Sequence, residues 1–126
     1  VNTDVAVLKC TQEYVAKIGK ADPKRAMIVL GYFQDMLRNL QSVFSSLVGG
    51  GEYHVIVGDN VIRDVAIPTH SLLAELGKTV GFEWTNYYCY KVKDHRTSIP
   101  RKGQGGKIDL EHVITLRKPT NAHDNH

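Results

Sequence analysis

No apolar run in this 126-residue chain approaches the roughly 18 residues that a membrane-spanning helix needs. No basic stretch followed by an apolar one opens it, so no signal peptide is read there. The first residue is Val1 and not Met, and a processed or cut N-terminus is the expectation. Cysteine is scarce. Cys10 and Cys89 stand far apart, which supplies no disulfide framework and fits reduced thiols in a cytoplasmic protein. Cys-x-x-Cys and His-Glu-x-x-His are both missing. The six histidines, His54, His70, His95, His112, His123 and His126, show no metal-ligand spacing. They are expected to be scattered over the surface or half buried, with no metal. Net charge is also small, at +3, too little to declare a nucleic-acid partner.

What remains is an ordinary globular balance, 42% apolar and 23% charged, in a length that suits one domain. The positive charge is concentrated. Lys91, Lys93, Arg96, Arg101, Lys102 and Lys107 face a single acid, Asp94, so this segment carries five positive charges more than negative ones. The surplus there exceeds that of the whole chain.

Periodicity sets the elements. Val7, Leu8, Thr11, Tyr14, Val15 and Ile18 suit an amphipathic helix over 1–20, ended by Gly19. Asp22-Pro23 reads as an N-cap and first helical residue. Ala26, Leu30, Phe33, Leu37, Leu40, Phe44 and Leu47 then recur at spacings of three and four, giving a long helix over 23–48. Gly49-Gly50-Gly51 stops it. A strand is expected at 52–58, ending in the turn signal Gly58-Asp59-Asn60. A brief extended piece over 61–67 leads to Pro68-Thr69 and a helix over 69–80, closed by Gly81. Strands over 82–93 and 107–118 flank a basic, glycine-rich loop and form an antiparallel hairpin. The expected domain is 1–118, with a disordered tail over 119–126.

Few residues point to chemistry. Ser42, Ser45 and Ser46 lie on the long helix without a nucleophile elbow. Neither Gly49-Gly50-Gly51 nor Gly103-Gln104-Gly105-Gly106 joins a strand to a helix, so neither reads as a phosphate cradle. Asp59 and Asn60 end an apolar strand, and open α/β sheets bind ligands at that edge. A plain Asx turn accounts for them equally well. Arg96, Arg101 and Lys102, near Tyr87, Tyr88 and Tyr90 in sequence, could attract phosphates and stack on bases. A solvated loop with its tyrosines in the core is the plainer reading.

Taken in order, these segments resemble DNA amino-methyltransferases of the adenine-N6 or cytosine-N4 type. Tyr32-Phe33-Gln34-Asp35-Met36 and Gly49-Gly50-Gly51 look like the helix and turn before that family's fifth strand. Tyr53-His54-Val55-Ile56-Val57-Gly58-Asp59-Asn60 looks like that strand and its Val-Gly-Asp end. Val61-Ile62-Arg63, Ile67-Pro68-Thr69, Leu72-Leu73-Ala74 and Gly81-Phe82 resemble the next loop, helix and exit. Ile99-Pro100-Arg101, Ile108 and the run from Glu111 to Lys118 resemble the terminal hairpin. The match covers about Ala26 to Lys118.

The resemblance implies an α/β fold: a partial Rossmann-like methyltransferase sheet of three strands, two of them a C-terminal antiparallel hairpin, with packed helices. The last strand would lie between the other two. Two motifs of the family are absent, the Phe-x-Gly-x-Gly turn for S-adenosylmethionine and the Asp/Asn/Ser-Pro-Pro-Tyr segment for the target amine. The chain is therefore expected to be the C-terminal half of such an enzyme, inactive alone and without cofactor by itself. S-adenosylmethionine would belong to the complete enzyme, and residues before Val1 would carry the Pro-Pro motif. No catalytic residue is expected here. DNA is the implied partner, with contacts from Asp59, Asn60, Arg63, Arg96, Arg101 and Lys102. The family's preceding strand is missing, so the edge of the strand at 52–58 would be bare. Either the helix over 1–20 covers it, or the missing half or a second copy pairs with it. A non-catalytic nucleic-acid-binding module and an oligomerising or structural protein on the same scaffold are the competing readings.

Overall fold

A computed structural model describes residues 3–92 and 109–120. Two helices come first, α1 over Thr3–Ala21 and α2 over Pro23–Ser46. Between them Asp22 acts as the predicted cap. Its carboxylate accepts from the Arg25 backbone N–H at 3.0 Å, and Pro23 fills the first turn, where no N–H is needed. The buried stripe of α2 is Ala26, Val29, Phe33, Leu37 and Leu40. At its other end the Lys118 Nζ donates to the carbonyls of Phe44 and Leu47, both at 2.8 Å, satisfying acceptors that the last turn leaves free.

The chain then turns through Gly49–Gly51. Gly50 has φ +85°, and its N–H donates to the Lys118 carbonyl, while the Lys118 N–H returns to Gly51. This pair of bonds ties the turn to the far end of the chain. Strand β1 (Glu52–Gly58) follows, then a small hairpin, β2 (Asn60–Ile62) and β3 (Val65–Ile67), then helix α3 (Thr69–Val80). Strands β4 (Glu83–Val92) and β5 (Asp109–Arg117) complete the fold.

The sheet has the order β1-β5-β4. Strand β5 is antiparallel to both neighbours, so β1 and β4 run parallel to each other with β5 inserted between them. This is the expected arrangement of a partial methyltransferase-like sheet, with nearly the expected bounds. The β2–β3 hairpin was not foreseen. Its two arms are three residues each, too short for alternation to show.

Alternation divides the sheet into two faces. Val55, Ile114, Leu116 and Trp84 share one, and α3 packs on it so tightly that a Cβ at Gly77 would lie 2.9 Å from the Leu116 side chain. Helix α2 lies beside α3 on the same face, where Tyr53 of β1 donates to Asn39 at 2.8 Å and Phe44 meets Phe82 edge-on. The opposite face holds His54, Ile56, Tyr88, Val113 and Thr115.

The expectation that the first helix covers the bare edge of β1 is corrected. Helix α1 packs instead on α2, α3 and β3. Val7, Ile18 and Thr11 are fully buried there, and the Thr11 hydroxyl donates to the Val7 carbonyl. An apolar stripe of this kind gains more from the helical layer than from a strand edge, which offers backbone polar groups. The basic loop with Arg96, Arg101 and Lys102, and the tail from residue 121, lie outside the described residues.

Candidate functional site

The carboxyl end of β1 delivers Asp59, and three other elements bring side chains to it. His70 comes from the first turn of α3, His112 from β5, and Tyr87 from β4. The register explains the meeting. His112 stands opposite Val57, two residues before Asp59, and Tyr87 stands opposite Ile114 on the same face of the sheet.

Asp59 has a structural task first. Pro68 precedes α3 and offers no side-chain cap, so the Asp59 carboxylate accepts from the His70 backbone N–H at 3.1 Å. The same carboxylate lies 2.9 Å from His70 Nδ1 and 3.5 Å from His112 Nε2. A carboxylate only accepts, so in the ion-free cluster both rings present N–H groups to it. In a neutral ring the other nitrogen is then an acceptor. Ser71 Oγ lies 3.2 Å from His70 Nε2, and the Tyr87 hydroxyl 2.8 Å from His112 Nδ1. The two imidazoles stack at 4.0 Å with an interplanar angle of 7°, and Tyr87 stacks on His70 at 5.1 Å. Loss of solvent is the first cause that raises the Tyr87 hydroxyl above the usual tyrosine pKa, with Cys89 and then Asp59 adding to it.

The site is partly closed. Side-chain exposure is 10% for His112, 16% for His70 and 30% for Asp59, so the cluster can be reached through the carboxylate. Two imidazoles and one carboxylate, each offering a donor atom within 4.8 Å of the others, are a set that could hold a metal ion.

Of the six residues given a DNA contact in the sequence, Asp59 alone joins this cluster, and Tyr87, marked beside the basic loop, packs against its histidines. Asn60 opens β2 and is exposed. Arg63 occupies the β2–β3 turn at φ +50°, and its guanidinium binds the α2 cap, with Nε 3.1 Å and Nη2 3.0 Å from Asp22 Oδ2. That ion pair and the Arg25 N–H bond hold the Asp22 carboxyl below its usual pKa, the backbone bond first. The histidines were expected to be scattered, and this is corrected for two of them. His70 and His112 are 42 residues apart, and no local motif links them. The expected strand order carried the available signal, because placing β5 beside β1 brings a β5 histidine near Asp59.

A Cβ at Gly51 would meet Leu47 and the Val48 carbonyl, one at Gly77 would meet Leu116, and one at Gly81 would meet Phe44. At these three positions the missing side chain lets neighbouring parts of the protein approach closely. No described helix is long and apolar enough to cross a membrane.

No protein-family model and no curated protein matches the chain. Solved structures do. The selenomethionine form of TTHA0409 from Thermus thermophilus, a presumed DNA modification methylase, aligns at a TM-score of 0.56 with 23% identity, over 79% of this chain and 43% of that one. Its complex with S-adenosyl-L-methionine aligns at 0.55 with 21% identity, over 72% and 38%. The chain thus spans less than half the length of the protein it matches, and the likeness is one of fold: a partial methyltransferase-like α/β sheet with its helices.

Proposed function

We propose that the chain is the C-terminal part of a DNA amino-methyltransferase, and that it binds methyl donor and completes its chemistry only with the remainder of that enzyme. The observation that carries this reading is the sheet. Parallel β1 and β4 with antiparallel β5 between them follow the order of the family the sequence resembles, and a DNA-modification methylase shares the fold. The absence of a donor-binding glycine turn from the sequence supports the division of labour. Asp59 and Asn60, at the carboxyl edge of β1, would form one wall of the pocket that receives an extruded base. Arg96, Arg101 and Lys102 would hold backbone phosphates, which positions the duplex without reading sequence. Arg63 is given a lesser part, because Asp22 already engages it.

A non-catalytic module on the same scaffold remains the second reading. Among the described residues the outer edge of β1 has no strand partner and the face with Ile56 and Tyr88 carries no helix, and both features favour assembly with another chain.

Two titrations test the proposal. Calorimetry with S-adenosylmethionine should give no heat, and donor binding by this chain alone would overturn the partial-enzyme reading. Fluorescence anisotropy with duplex DNA should show affinity falling roughly 40-fold between 50 and 200 mM salt if three phosphates are held. Binding that ignores salt would remove the role given to the basic loop.

A further inference from the structure

We propose that Asp59, His70 and His112 form a binding site for one divalent transition-metal ion of the zinc type. This site is independent of the methyltransferase reading and stands on the cluster's own geometry.

Three features support it. The donor atoms stand close enough together for one ion to gather them with small side-chain shifts, and one separation already matches. Zinc bonds of about 2.0–2.2 Å place neighbouring donors of a tetrahedron roughly 3.3–3.6 Å apart. Asp59 Oδ2 lies 2.9 Å from His70 Nδ1 and 3.5 Å from His112 Nε2, and the third separation is within 4.8 Å. The longer of these is poor for an N–H···O bond, whose usual limit is about 3.2 Å, yet it suits two ligands of one ion. Secondly, each ring nitrogen that faces away from the carboxylate already has a hydroxyl beside it, Ser71 for His70 and Tyr87 for His112. When an ion replaces the protons facing Asp59, these hydroxyls turn from donor to acceptor and fix the ligating tautomers. Thirdly, the ligands come from β1's end, α3 and β5, elements whose positions the core already sets.

Two imidazoles and a carboxylate leave a fourth position free on a tetrahedral ion, and the partly exposed Asp59 opens it to solvent. The stacked rings are nearly parallel, so their lone pairs run side by side. Ion entry turns one ring about its Cβ–Cγ bond, a soft torsion, and loosens the stack.

The test is calorimetric titration of the chain with zinc chloride, beside D59N, H70Q, H112Q and the control H54Q. Asn at position 59 can still accept from the His70 N–H, so D59N keeps the helix cap and separates ion loss from misfolding. Circular dichroism verifies the fold of each variant. One zinc per chain is expected, with affinity reduced at least tenfold in all three site variants and unchanged in H54Q, since His54 lies on the opposite face. The histidine ring signals of His70 and His112 should shift on zinc addition in NMR spectra while those of His54 stay. Failure of the wild type to bind, or equal binding by the site variants, as scattered histidines or Cys89 would give, overturns the proposal.

Discussion

The two faces of the β1-β5-β4 sheet are covered differently, although Val113 and Thr115 of the central strand are buried on the second face too. On one, Ile114 and Leu116 are fully buried under α3, with Val55 and Phe82 beside them. On the other, Ile56 is 58% exposed and Tyr88 54%, and no described helix lies above them. The strands are the same, but helices lie over one face only among the described residues. Sheets with parallel strands in α/β proteins are normally covered on both faces. Among the described residues, the face with Ile56 and Tyr88 carries no helix and the outer edge of β1 has no strand partner.

The largest expected effect lies on the covered face. Leu116→Ala removes a fully buried side chain from the central strand, where Gly77 of α3 approaches it most closely. A loss of about 2–5 kcal/mol is expected in chemical denaturation. A loss below about 1 kcal/mol would mean that this face is loosely packed, and the contrast between faces would fail.

The seam between helices and sheet comes next. Gly81 ends α3 at φ +128°, and a Cβ there would lie 2.9 Å from the Phe44 ring. Gly81→Ala should cost about 1–3 kcal/mol in the same assay, through backbone strain and displacement of Phe44. A neutral result would show that the seam adapts, and that α2 is less firmly fixed over the sheet than α3.

Much of this division was legible in the sequence. The Asp22-Pro23 cap, the spacing of Ala26, Phe33, Leu37 and Leu40, and the Gly81 stop each act within a few residues, so local pattern sufficed. The order of the three strands followed from the family resemblance and not from periodicity. Strand β4 shows why, because nearly all its residues are exposed and its tyrosines stand on both faces. The docking of α1 was misread, since one amphipathic stripe fits a strand edge or a helical layer equally well on paper. The cluster was only one-third visible. Asp59 was marked as the end of a strand, whereas His70 and His112 depend on a register that spans the whole fold. Nothing local reveals that Arg63 would meet Asp22, 41 residues earlier.

The smallest expected effect is the sharpest test of the comparison. Ile56 points away from every described helix, in the edge strand, with Val113 opposite it. Ile56→Lys places a charge there. If the face is open to water in this chain, the long side chain extends into solvent and stability should change by no more than about 0.5 kcal/mol. If instead the face is covered, within the chain or by a second copy, the buried ammonium should cost several times as much. Sedimentation separates those two cases. A wild-type dimer that Ile56→Lys converts to monomer assigns the face to self-association. A stable variant with a monomeric wild type leaves the face free for the remainder of the proposed enzyme, and under that proposal Ile56→Lys should block assembly with it while leaving the chain's own fold intact.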